Sequence, residues 1–192
     1  MEIVHVEQLT QEKWLNLFAA TCRDGGREGR WVFASRKPKP YEPQAKADAA
    51  VIVPILRASD QPPRLVLEKE YRVPVGDYVY GFPAGLVEEG EDIEATVRRE
   101  LREETGFDVV RIKRVTPPFY SSPGLTDEAA ALVFVDVRAT PQSKPKPDGM
   151  EDIEVILLDY EQLCRLCEDK TVRFDIKAWT TLYMYQQLGK LI

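Results

Sequence analysis

The chain has 192 residues and a net charge of −6, long enough for one sizeable core with a small appendage and too acidic for a general nucleic-acid-binding surface. Its longest apolar runs, 49–56 and 129–135, are far too short to cross a bilayer, and MEIVHVEQ lacks the basic and apolar regions of a secretory signal. The expectation is a cytoplasmic protein with neither nucleic-acid nor membrane partners.

In chain order, residues 1–37 read as a unit of their own. His5, the single histidine, lies in a strand-like stretch and has a structural role. The β-favourable runs 13–24 and 30–37 flank the Gly-rich turn Asp24-Gly25-Gly26-Arg27-Glu28-Gly29 and predict a hairpin. Two strands bury too little surface to stand alone, so this hairpin must pack on the main domain or on a second subunit. The Pro- and Lys-rich stretch 37–47 reads as a linker. The expected division is therefore 1–47, hairpin and linker, and 48–192, the main domain.

Strands are predicted at 49–57, 64–71 and 78–82, with a turn at 59–63 and a bulge or edge at Pro54. A helix follows, then strands at 108–115, 129–137 and 154–158, then helices at 160–169 and 174–188. In the last helix Ile176, Trp179, Thr180, Tyr183 and Gln187 share one stripe. Cys164 and Cys167 are three apart in the helix before it, where i and i+3 share a face, so core packing accounts for them better than zinc or redox chemistry. With Cys22 they make an odd, sparse set rather than a disulfide framework. Strands interleaved with helices predict an α/β fold, a mixed sheet between helical layers.

The most informative stretch is residues 85–107, GLVEEGEDIEATVRRELREETGF. At about 100° per residue, Glu103 and Glu104 fall roughly 60° and 40° to either side of Glu100. Three anions on one narrow face repel unless a cation sits among them, and hard divalent cations take such oxygen ligands and share them with phosphates. The plainer alternative is a solvated face held by the i,i+4 spacings Glu94–Arg98 and Arg98–Arg102. The frame of the helix favours the first reading: Gly85 and Gly90 precede it, Asp92 is a suitable N-cap with Glu94 in the first turn, and Gly106 closes it. With only one histidine, the chemistry must run on carboxylates and metal.

Gly85, Glu91, Arg99-Glu100-Leu101, Glu103-Glu104 and Gly106-Phe107 resemble the complete Nudix box, with every defined position filled. The resemblance implies a Nudix-type α/β/α sandwich and hydrolysis of a nucleoside diphosphate linked to another moiety. It implies Glu100, Glu103 and Glu104 as metal ligands, with Glu100 and Glu104 counted as catalytic, and a Glu91–Arg99 pair that holds the loop against the helix.

Further segments resemble the ADP-ribose and ADP-sugar pyrophosphatase branch over nearly the whole chain. Phe82-Pro83-Ala84-Gly85-Leu86 matches its lead-in, which implies the Ala84 carbonyl as a metal ligand and Leu86 as a substrate contact; otherwise it is a Pro-Gly turn. Pro123, sixteen residues past Phe107, matches a proline that marks the ADP-ribose group, although Pro-Gly pairs also mark ordinary turns. Glu128 is given no chemical role. The stretch Lys144-Pro145-Lys146-Pro147-Asp148-Gly149-Met150-Glu151 resembles the loop that carries the branch's catalytic glutamate. That implies Glu151 as the group that orients or deprotonates water, with Asp152 and Glu154 as rivals. Arg72, in Glu70-Tyr71-Arg72-Val73-Pro74, matches a phosphate contact. Trp14, Trp31 and Arg36 match the positions that sandwich and anchor the nucleotide base across a swapped dimer interface; alternatively both tryptophans are hairpin packing residues.

The expected function is thus a homodimeric hydrolase that cleaves a small-molecule nucleoside diphosphate sugar, ADP-ribose, to AMP and ribose 5-phosphate with Mg²⁺, or Mn²⁺ in its place. A pyrophosphatase for UDP- or GDP-linked sugars is the alternative enzyme, and a non-catalytic nucleotide sensor the alternative class.

Overall fold

The structure is a computed structural model and describes residues 1–41, 47–140, 144–146 and 151–191. Its elements in chain order are β1 (Glu2–Gln8), β2 (Asn16–Asp24), β3 (Arg27–Ser35), β4 (Ala49–Ala58), β5 (Gln61–Arg72), β6 (Asp77–Gly81), β7 (Ala84–Leu86), α1 (Ile93–Thr105), β8 (Asp108–Val115), β9 (Phe119–Tyr120), β10 (Ala129–Arg138), β11 (Ile153–Leu158), α2 (Tyr160–Glu168) and α3 (Ile176–Leu188). They fall into two compact units, one of Met1–Ala49 with Pro118–Ala130 and one of Ala50–Pro117 with Ala131–Ile192.

The first unit carries an antiparallel sheet in the order β1-β2-β3. The expected turn over six residues is tighter: Gly25 and Gly26 both have positive φ, 53° and 82°, and Asp24 already pairs with Arg27. A two-residue turn with φ > 0 at both central positions matches the twist of the flanking strands, so Arg27, Glu28 and Gly29 join the ladder. The hairpin is also not alone, because β1 pairs along the free edge of β2. Phe18, Ala20 and Phe33 form a small core with Val6 and Cys22 against it. Of the expected linker, residues 42–46 lie outside the described residues.

The second unit is a mixed sheet in the order β11-β5-β4-β10-β8, with β6 on β5 and β7 on β4. β4 is buried on both faces, which is why it reads as an unbroken apolar run. Ala50, Ile52 and Leu56 join the core beneath Val97 and Leu101 of α1, while Val51, Val53 and Ile55 are buried on the other face. Pro54 marks no edge here, since β4 lies inside the sheet. It falls between the hydrogen bond from Ile52 N–H to Pro83 O and the first β5 pairing, Ile55 with Leu65, where a missing N–H costs nothing. The bulge comes later, between Leu56 and Ala58. Because Ala58 already pairs with Gln61, Pro62 and Pro63 lie in β5 instead of the turn.

The second helical layer is α2 and α3. Tyr185 of α3 is buried within electrostatic range of Arg57 and Asp136, and Asp136 alternates with Val135 and Val137, which face α1. The sheet is therefore covered on both sides. α3 buries Ala178, Thr181, Leu182 and Tyr185, a regular i, i+3, i+4, i+7 set whose small members allow close approach. The stripe of Ile176, Trp179, Thr180, Tyr183 and Gln187 is exposed instead, with Trp179 and Tyr183 stacked at 5.3 Å. No helix among the described residues is long and apolar enough to cross a membrane.

Candidate active site

The site in the second unit is built on α1. Asp92 caps the helix by accepting from Ala95 N–H, and Gly106, at φ 74°, closes it with its N–H on Arg102 O, a conformation that glycine adopts without strain. Val97 and Leu101 are driven into the core, and that anchoring decides where the acids point. Glu104, one turn beyond Leu101, is only 5% exposed; Glu100 and Glu103 are half-buried. The Glu94–Arg98 pair forms at 2.7 Å. Arg98 and Arg102, two cations, attract no one another: Arg102 turns to Asp108 at 2.6 Å and Arg98 donates to Val109 O.

Arg99 is the hub. Its Nε and Nη2 donate to the two oxygens of Glu91, both at 3.0 Å, a fork that specifies orientation as well as charge. Nη2 also donates to Leu86 O at 3.2 Å, so the loop before the helix is tied to the helix itself. The Arg99 guanidinium, followed by the Thr96 hydroxyl, holds the Glu91 carboxyl down to about 2. Arg99 Nη1 reaches Glu100 Oε1 at 2.6 Å and Glu103 Oε2 at 3.3 Å. Among the described residues no three acidic, histidine or cysteine side chains converge as a cage, and Arg99 pairs with two of these carboxylates.

Gly85 lies against Glu100. A Cβ at residue 85 would sit 1.7 Å from Glu100 Oε1 and 1.9 Å from Cδ, so only glycine leaves the carboxylate its place. Ala84, next to it, donates its N–H to Glu104 Oε2 at 3.0 Å. Burial, then the neighbouring Glu68 and Glu100, push the Glu104 carboxyl up to about 10, against the lowering effect of the Ala84 N–H. Burial likewise raises Glu100, opposed by Arg99. This is an oxygen-rich, partly buried cluster of acids, the donor set that hard divalent cations prefer.

β5 and the start of β11 supply the rest. Glu68 of β5 is buried, and burial with Glu70 next to it pushes its carboxyl up to about 8. Arg72 pairs with Glu70 at 2.7 Å and is also within electrostatic range of Glu68. Glu151, just ahead of β11, is among the charged neighbours of Glu68, Glu70, Glu100 and Glu104. Nearby, Asp152 accepts a short hydrogen bond from Tyr78 Oη, and Glu154 pairs with Lys69 at 3.4 Å. Of the loop before Glu151, residues 147–150 lie outside the described residues. Thus Ala84, Leu86, Glu100, Glu103, Glu104, Arg72 and Glu151 all belong to one neighbourhood of the second unit.

Trp14, Trp31 and Arg36 belong to the first unit. The two indoles are 67% and 60% exposed and take no part in that unit's core, so they are not packing residues of the sheet. Arg36 pairs with Glu128 at 3.1 Å and donates to Trp14 O at 3.4 Å. Trp31 Nε1 donates to Gly124 O at 3.4 Å, which seats the Ser122-Pro123-Gly124-Leu125 turn beside β3. Glu128, to which the sequence assigns no chemical role, is the ion-pair partner of Arg36. Glu68 went unmarked in the sequence, though the period-2 pattern of β5 puts it on the inward face with Val66.

The profile of the NUDIX domain matches residues 46–180. An ADP-ribose pyrophosphatase of Saccharomyces cerevisiae is 33% identical over 182 residues, 93% of this chain and 77% of that protein. An ADP-sugar pyrophosphatase of Mus musculus is 32% identical over 165 residues, 82% of this chain and 72% of that one. A nudix hydrolase of Caenorhabditis elegans is 35% identical over 142 residues, 72% of this chain, which spans 62% of that relative's length. A crystal structure of an ADP compounds hydrolase superposes with a TM-score of 0.69 at 18% identity, over 99% of this chain and 96% of that one, a likeness of fold. With its box helix framed by Gly85 and Gly106 and the family profile matched from 46 to 180, the chain belongs to the NUDIX family.

Proposed function

We propose that the protein hydrolyses the diphosphate bond of ADP-ribose, giving AMP and ribose 5-phosphate, with a divalent cation, Mg²⁺ or Mn²⁺, held by Glu100, Glu103, Glu104 and the Ala84 carbonyl. The observation that carries this reading is Glu104: a nearly buried acid beside Glu68 and Glu100, with an Ala84 N–H on one oxygen. Gly85, which leaves room for nothing but the Glu100 carboxylate, is the second support. Bound there, the cation supplies charge neutralisation of the diphosphate and water activation. Glu151, which stands among the same acids, orients the attacking water and accepts its proton at a carboxylate oxygen. Arg72 exchanges part of its pairing with Glu70 for a phosphate oxygen and steadies the charge that builds on the leaving phosphate. Leu86 flanks the substrate. The open indoles of Trp14 and Trp31 stack on the base, with Arg36 beside them, in a homodimer whose first unit serves the partner's site.

Relatives named for ADP-ribose and ADP-sugars favour adenine over the UDP- or GDP-linked alternative, since stacking alone discriminates bases poorly. An intact set of box carboxylates favours an enzyme over a sensor. Incubation with ADP-ribose and Mg²⁺, followed by product analysis, tests the reaction, and a panel of ADP-, UDP- and GDP-sugars tests the base. Glu104→Gln should lose more than the roughly 10–100-fold that removal of an outer-shell partner costs. Near-wild-type turnover in that variant refutes the metal assignment.

A further inference from the structure

Glu68 belongs to no motif, yet among the described residues it is the most deeply buried acid of the second unit. Its side chain is 2% exposed, and among the described residues its Oε1 is the buried side-chain oxygen without a hydrogen-bond partner. Burying a carboxyl with an unsatisfied oxygen is costly, and Leu65, Val66 and Leu67 just before it show that this strand accommodates apolar side chains readily. Something must compensate for the acid.

The strand gives its direction. Side chains alternate along β5, so Glu68 shares a face with Val66, which packs in the core with Val97 and Leu101 of α1. Glu68 therefore points from the sheet toward the helix that carries Glu100 and Glu104. Its charged neighbours include Glu100 and Glu151, and for Glu104 it is the foremost of the neighbouring acids. Arg72, a cationic neighbour, is already paired with Glu70 at 2.7 Å. A buried, unpartnered carboxyl oxygen with Glu100, Glu104 and Glu151 among its charged neighbours is a donor of the kind a hard cation takes.

We propose that Glu68 is an oxygen donor to the divalent cation of the box helix, contributed from the sheet side by Oε1. This rests on the reading of Glu100, Glu103 and Glu104 as cation ligands and extends it to a residue outside the box. The competing account is a purely structural one, in which Glu68 keeps a proton and shares it with Glu104.

The test reads binding, not turnover. Mn²⁺ is titrated into the wild-type protein, Glu68→Gln and Glu68→Leu without substrate, following free Mn²⁺ by electron paramagnetic resonance, with circular dichroism as the check on folding. Glu68→Gln should bind at least about tenfold more weakly, and Glu68→Leu, which offers no oxygen, more weakly still. Wild-type crystals soaked in Mn²⁺ should show anomalous density within about 2.5 Å of Glu68 Oε1, a readout that stands even if Glu68→Leu fails to fold. Equal affinity in the folded variants, or Mn²⁺ on the box acids but out of reach of Glu68, overturns the assignment of Glu68 and leaves the wider reading intact. Wild-type protein that takes up no Mn²⁺ overturns both.

Discussion

Replacing Gly85 by alanine exchanges one hydrogen for a methyl group, and the structure puts that carbon 1.7 Å from Glu100 Oε1. Ordinary contact begins at 3.4 Å, so the carboxylate must retreat by about 1.7 Å, the difference between the two distances. The backbone of residue 85 does not lie at positive φ, so the effect comes from the collision and not from backbone strain. Glu100 is a side chain and can swing; doing so costs about 0.5–1.5 kcal/mol of rotamer strain and breaks its 2.6 Å contact with Arg99. The stability loss should stay within the roughly 1–3 kcal/mol typical of overpacking. The catalytic loss should be far larger, because about 1 Å of misplacement in an organised site costs about 10²-fold. Gly85→Ala is thus expected to melt within several degrees of the wild type by circular dichroism while kcat/KM for ADP-ribose falls at least about 10²-fold. Wild-type turnover would mean that the position of Glu100 is immaterial. A loss of activity that merely tracks a loss of folded protein would mean that Gly85 is only a fold residue.

Glu91 titrates at about 2 in the folded protein against 4.5 ordinarily; a depressed acid adds stability above pH 4.5 that disappears as the pH falls toward 2. Denaturant unfolding from pH 6 to 2 should therefore show a shallower acid limb in Glu91→Gln than in the wild type, and parallel limbs would contradict the Arg99 clamp. Trp14→Ala and Trp31→Ala should each raise KM by the equivalent of about 1–3 kcal/mol if the rings stack on a base, with melting barely changed because both are exposed. Unaltered KM in both returns them to the surface. Glu151→Gln should lower kcat by about 10²–10⁴-fold, whereas Asp152→Asn and Glu154→Gln should stay within a few-fold; the reverse order in steady-state kinetics would move the base role to a neighbour. Leu101→Ala should cost about 2–5 kcal/mol in denaturant unfolding, since that side chain is fully buried.

The box was legible because its frame is local. An N-cap at Asp92, an anion in the first turn and a left-handed glycine at 106 act within a few residues of the chain, and the helix ends where those signals put it. The strand at 108–115 was legible for the same reason, following a closed helix directly. Where partners lie far off in sequence, the reading slipped. β1 exposes nearly every side chain, so it shows no apolar alternation and owes its place to the edge of β2. Pro62 and Pro63 were read as a turn because a register set by Ala58 and Gln61 cannot be seen from composition. For α3 the chain offers two apolar stripes, and only the sheet decides that Ala178, Leu182 and Tyr185 turn inward.

The same limit explains why the acidic site was half visible. Glu100, Glu103 and Glu104 advertise themselves by helical spacing, whereas Glu68 stands in Glu68-Lys69-Glu70, which looks like a solvated charge run. Strand alternation splits that run. Lys69 goes to one face and pairs with Glu154, while Glu68 and Glu70 go to the face that Val66 shares with α1. The surface that carries the hydrophobic core thus continues, two residues further along β5, into the acids. Burial that stabilises Val66 raises the carboxyls of Glu68 and Glu104, so fold and candidate chemistry draw on one desolvated face. That burial already holds both carboxyls toward their neutral forms when no metal is bound, whereas the unfolded chain ionises them above the ordinary 4.5. In the absence of metal ions, a glutamine at 68 or 104 should therefore leave denaturant unfolding little changed below pH 4.5 and relieve the fold as the pH rises from there through the raised values, while weakening cation binding throughout.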